Sequence, residues 1–145
     1  MSDQILTVLK SKLDGLSTYG FSITDPETRL NTLKEELQFY VLDFIYHHPE
    51  YSKWVMYGGS ALRICYDLDR MSVDLDFEVS HQVDNRFLNE LKEETEKHFS
   101  KVYGTDSEFL RITITNNRGI TLKFRVGRLI EGYASEWVHV KIDIN

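Results

Sequence analysis

Between residues 72 and 79 the chain reads SVDLDFEV, with hydrophobic and acidic residues alternating throughout. Side chains on a strand point to opposite faces in turn, so Val73, Leu75, Phe77 and Val79 share one face. Asp74, Asp76 and Glu78 share the other. A helix cannot sort this pattern into two faces, so the segment is expected to be a strand with one core face and one wet, acidic face. Partners with the same alternation follow in the C-terminal third: FLRITITN, ITLKFRVG and WVHVKIDIN. Asn116, Asn117, Arg118 and Gly119 between the first two are strong turn residues.

Helical spacing dominates the rest. Ile5, Leu6, Leu9 and Leu13 recur at three- and four-residue steps, and Gly15 marks an end. A longer helix is expected after Asp25, a good N-cap, with Pro26 in the first turn and Glu27 at the positive dipole end. Its core stripe is Leu30, Leu33, Leu37, Tyr40, Val41 and Phe44, and Pro49 stops it. A third helix, DNRFLNELKEETEKHFSKV, offers Phe87, Leu88, Leu91 and Phe99 to the core. KWVMYGG reads as a short buried strand ending at the glycines, and SALRICYDL as a short helix. The expected fold is one α+β domain over residues 1–145, a mixed or antiparallel sheet flanked by helices.

A chain of 145 residues is long enough for one substantial core. No signal peptide is recognisable, and no apolar run approaches the ~20 residues that span a bilayer, so no membrane contact and a cytoplasmic location are the default. The single cysteine, Cys65, can form no internal disulfide and offers no zinc cluster. A net charge of −6 argues against a sequence-blind nucleic-acid binder. The charge is uneven, however: residues 1–100 hold 10 Lys and Arg against 18 Asp and Glu, and residues 101–145 hold 7 against 5. A local basic surface on the C-terminal strands is compatible with that balance.

Three short patterns carry chemistry. Carboxylates two apart on a strand, Asp74 and Asp76, repel each other unless a cation lies between them, and Mg²⁺ favours such oxygen ligands together with substrate phosphates. A strand followed by Gly58-Gly59-Ser60 and a helix lets backbone approach a ligand closely and presents free N–H groups to phosphate. In VHVKIDIN, His139, Lys141 and Asp143 share one strand face. If that strand lies beside the Asp74–Asp76 strand, Asp143 becomes a third carboxylate and Lys141 can meet a phosphate. Each pattern has an ordinary structural reading: a solvated strand face, or a strand-to-helix turn with Ser60 as N-cap. A calcium loop starting at Asp67 fails, because Met71 and Ser72 stand where an oxygen ligand and a glycine belong. Together the three describe equipment for two-metal nucleotidyl transfer.

The run GGSALRICYDLDRMSVDLDF resembles the signature of the AbiEii-type nucleotidyltransferase toxins, within the DNA polymerase β-like nucleotidyltransferase superfamily. Gly58, Gly59, Ser60, Ala61, Leu62, Tyr66, Arg70, Ser72, Asp74, Leu75, Asp76 and Phe77 match the pattern. Asp143 in KIDI fits the superfamily's third acidic residue. The resemblance implies a polymerase β-like core, with Asp74, Asp76 and Asp143 holding two Mg²⁺ ions and acting in catalysis. It implies Gly58, Gly59, Ser60 and Ser72 near the phosphates of a nucleoside triphosphate; Arg63, Arg70 and Lys141 are further candidates for that contact. Related toxins nucleotidylate tRNA, so tRNA or another RNA is the implied acceptor and an antitoxin protein the implied partner. Family members continue into a C-terminal helical region that this chain lacks, as expected of a catalytic domain from a longer protein or of a minimal one. A non-catalytic relative that binds a nucleotide or a protein partner is the competing reading, and a purely structural domain the third.

Overall fold

The computed structural model describes residues 3–15, 26–58 and 74–145. Helix α1 spans Asp3–Gly15 and α2 Pro26–His47. Strands β1, Val55–Tyr57, and β2, Asp74–Glu78, precede helix α3, Asn85–Tyr103. Strands β3, Leu110–Thr115, β4, Gly119–Phe124, and β5, Val138–Ile144, follow. The five strands form one sheet in the order β1-β2-β5-β4-β3. Only β2 and β5 run parallel; the other pairs are antiparallel. The expected α+β class, with a mixed sheet, is what the chain adopts.

Local chemistry sets the element ends. The Asp84 carboxylate accepts a 2.9 Å hydrogen bond from Phe87 N and caps α3, and Gly104 closes that helix at φ +67°. Asn116 and Asn117 hold φ at 53° and 55°, the left-handed pair a tight type I′ hairpin requires, and Arg118 N donates to Thr115 O. Pro26 opens α2 and Glu27 lies in its first turn, while Asp25 falls outside the described residues.

One face of the sheet is apolar across all five strands. Register aligns Met56 with Phe77, Leu75 with Ile142, and Ile142 with Ile120. Leu122 pairs with Val140 and Ile112. The three helices cover this face: Leu9 of α1, Leu33, Leu37 and Phe44 of α2, and Leu91 and Phe99 of α3 share one buried cluster with Phe77, Phe124 and Ile142. Each such side chain contributes roughly 1.5–3 kcal/mol by leaving water. The expected stripes are present, widened by Leu42, Ile45 and Thr95.

One expectation is corrected. The strand before the glycines is not buried: Val55 is 59% exposed and Tyr57 39%. Among the described strands β1 is an edge, bonded only to β2, and its apolar residues face water on one side. At the end of α2, His48 Nδ1 accepts from Glu50 N and Tyr51 N, and the side chain also packs. Its ring stacks on Tyr51 at 3.7 Å and its Nε2 lies 3.2 Å from the Glu94 carboxylate, which also accepts the Tyr51 hydroxyl.

Candidate functional site

The second sheet face is polar, and its residues form cross-strand rows. The first row runs Tyr57, Asp76, Asp143, Gly119 and Thr115. The second runs Asp74, Lys141, Thr121 and Thr113. The third runs His139, Lys123 and Arg111. Successive rows lie about 6.7 Å apart, two residues along each strand. Asp74, Asp76, Lys141 and Asp143 are all half-buried, while Leu75, Phe77, Ile142 and Ile144 between them are buried. The alternation read from the sequence thus sorts these residues as expected, and the parallel pairing of β2 with β5 brings the two carboxylate strands together.

Electrostatics follow from the register. Burial, then the negative charges of Asp143 and Asp74, push the Asp76 carboxyl above its ordinary range, and Lys141 opposes them. Lys141 Nζ stands 3.7 Å from Asp143 Oδ2. Burial lowers the Lys34 ammonium, with Asp74 offsetting part of that effect. His139 is lowered by burial and by the positive charges of Lys123 and Lys34, so it is neutral at pH 7.

Gly58 closes the first row from the strand end. Its φ is +79°, and a β-carbon there would stand 2.9 Å from Asp76 Oδ2, so only glycine lets the chain pass this close. Gly119 plays a similar part opposite Asp143: a β-carbon would meet Ile142 O at 1.8 Å. Gly59, Ser60, Arg63, Arg70 and Ser72, the helix expected over SALRICYDL, and Cys65 lie outside the described residues.

Among the described residues, no three His, Cys, Asp or Glu side chains are arranged to hold a metal ion. The donor chemistry nevertheless suits a hard divalent cation: three carboxylates on adjoining positions, whose mutual repulsion a cation would offset. A cavity of about 700 Å³ opens elsewhere, beside Tyr51, Trp54, Val55, His81 and Phe87, and touches β2 only at its last residue, Glu78, and the positions just after it. The carboxylates instead lie half-buried on the polar sheet face, away from that cavity.

Two aromatic residues also lie on this face. Tyr57, whose place directly before the glycines suits buried packing first and stacking on a base second, is exposed in the same row as Asp76, and its hydroxyl accepts from Asn145 Nδ2. Trp137 lies beyond the third row, with the guanidinium carbons of Arg111 and Arg125 each 4.7 Å from its ring centroid. Extending the alternation of VHVKIDIN back by one step would have placed it there.

A family model described as the nucleotidyl transferase AbiEii toxin of a type IV toxin–antitoxin system matches residues 40–145. That span holds all five strands, the glycines and every carboxylate of the rows. No curated protein and no solved structure matches the chain. No helix among the described residues is long and apolar enough to cross a membrane.

Proposed function

The chain belongs to the AbiEii nucleotidyl transferase toxin family of type IV toxin–antitoxin systems, and on that premise we propose that it transfers a nucleoside monophosphate from a nucleoside triphosphate to an acceptor hydroxyl. The acceptor oxygen bonds to the α-phosphorus, the bridging bond to the β-phosphate breaks, and pyrophosphate leaves. The acceptor we assign is RNA, with tRNA the first to test. The reading rests on one observation: Asp76 and Asp143 are register neighbours on parallel strands, with Asp74 two residues away on the same face.

Asp74, Asp76 and Asp143 would hold two Mg²⁺ ions, which when bound supply positive charge to the attacking oxygen and to the departing pyrophosphate. Asp143 is the carboxylate we assign to take the acceptor proton. Lys141, beside Asp143, orients a phosphate oxygen and limits the negative charge of the row. Gly58 keeps the backbone tight against Asp76. Gly59, Ser60 and Ser72 are assigned to the nucleotide phosphates, as are Arg63 and Arg70. A triphosphate donor and an RNA acceptor are both cytoplasmic, which is where we place the activity, under the control of an antitoxin protein.

The test is incubation of the protein with each α-labelled triphosphate, Mg²⁺ and total cellular RNA, beside Asp76→Asn and Asp143→Asn. Label in RNA from the wild type alone supports the reading. Label in protein moves the acceptor, and triphosphate binding without transfer favours a binding module. Neither binding nor transfer would sink it.

A further inference from the structure

The third row and the residues beyond it have a chemistry the carboxylates do not need. Lys123 and Arg111 stand side by side across β4 and β3, and neither has an ion-pair partner among the described residues. The neighbouring cations are occupied: Arg125 faces Glu108 at 3.3 Å, Arg128 faces Glu136 at 2.6 Å, and Lys141 faces Asp143. Trp137 holds Arg111 and Arg125 on its ring. Arg111 Nε also donates to Ser107 O at 3.2 Å, so the ring and this bond together fix the guanidinium and leave its two terminal NH2 groups for phosphate before any ligand arrives. His139 completes the row as a neutral imidazole, able to donate or accept a hydrogen bond without adding charge.

In a protein of net charge −6, two adjacent cations with no ion-pair partner among the described residues, Arg111 exposed and Lys123 half-buried, are a specific feature of this face. The two rows nearest the reaction are acidic or mixed, and the basic row lies two steps, about 13 Å, from the Asp76–Asp143 pair. That distance separates it from a triphosphate held at the carboxylates. It suits a polyanion that enters along the sheet and brings its end to the first row.

We propose that Arg111 and Lys123, with Trp137 fixing Arg111, form the strip that grips the phosphodiester backbone of a single-stranded acceptor RNA a few nucleotides back from its reacting end. The assignment rests on the nucleotidyl transfer reading and names how that site selects a nucleic-acid acceptor. Trp137 is a positioning residue, acting through the guanidinium it carries.

The experiment is fluorescence anisotropy of a labelled single-stranded oligoribonucleotide, about a dozen residues long, titrated with the full chain between about 50 and 200 mM salt. The wild type is expected to bind more weakly as salt rises. Arg111→Ala with Lys123→Ala should weaken binding about tenfold or more and flatten the log–log salt slope by about 0.7 per lost phosphate contact. Trp137→Ala should weaken binding and Trp137→Phe largely restore it, because a ring still carries the guanidinium. Circular dichroism melts of each variant separate a lost contact from a lost fold. Asp76→Asn should bind RNA as the wild type does while transferring nothing. If no protein transfers label but the double variant still loses RNA, the reaction fails and the strip stands. Unchanged affinity and slope in a folded double variant overturns the strip, as does a double variant that raises the KM for the triphosphate instead. Equal binding of the matching DNA strand supports it, since backbone charge is what the strip reads.

Discussion

Gly58 lies against Asp76 so closely that a β-carbon on the glycine would stand 2.9 Å from the carboxylate oxygen Oδ2. The backbone there also holds φ at +79°, where an L side chain costs about 1–2 kcal/mol. Gly58→Ala therefore carries two penalties, strain in the chain and displacement of a carboxylate in the candidate site. A loss of about 1–2 kcal/mol in urea unfolding is expected. Transfer activity should fall much further than that stability loss explains. Activity that falls only in proportion to the unfolded fraction would mean the contact matters for folding alone.

Asp76 should be worth more to chemistry than to folding. Burial and the charges of Asp143 and Asp74 disfavour its ionised form. Asp76→Asn removes one of three neighbouring negative charges, so stability at pH 7 is expected to rise by a few tenths to about 1 kcal/mol. Mg²⁺ should raise the melting temperature of the wild type, as any ligand of the native state does. The same Mg²⁺ should leave Asp76→Asn nearly unmoved. Equal metal shifts in both proteins would place the cation elsewhere.

Gly119 makes the most severe backbone contact among the strands. A β-carbon there would overlap Ile142 O at 1.8 Å, and backbone cannot swing aside as a flexible side chain does. Gly119→Ala must push β4 from β5 beside Asp143. The expected cost is at or above the top of the ~1–3 kcal/mol typical of overpacking. A variant that melts within a few degrees of the wild type would show that the hairpin relaxes without moving β5.

The polar face was legible where the signal is local. Period-two alternation places Asp74 with Asp76, and Lys141 with Asp143, from a handful of residues each. That Asp76 lies beside Asp143 is different in kind: it depends on β2 and β5 pairing across a helix and a hairpin, which no local pattern encodes. The same limit explains β1. Trp54, Val55 and Met56 look like a buried strand, yet an edge and a central strand of three residues have the same composition, and neighbours decide the burial. Trp137 heads the segment WVHVKIDIN, but its partners Arg111 and Arg125 arrive from β3 and the end of β4, and no local pattern brings them together.

His98 of α3 provides a pH test independent of the site. Its ring sits 4.8 Å from that of Phe44 and near Phe99 and Tyr103, and Nε2 is buried without a hydrogen-bond partner among the described residues. Burial lowers its protonation below the ordinary histidine range. Asp43 on α2 opposes that shift and His47 adds to it. The unfolded chain then binds a proton more readily than the folded one, so stability is complete above the ordinary value, about 6.5, and is lost as pH falls below it. One such histidine accounts for a slope of at most about 1.4 kcal/mol per pH unit. His98→Phe keeps a ring against Phe44 and removes the titration. Its stability is expected to match the wild type near pH 8 and to exceed it near pH 5.5. Urea unfolding across that range decides the matter, since parallel curves for the two proteins would show that His98 protonates as easily folded as unfolded.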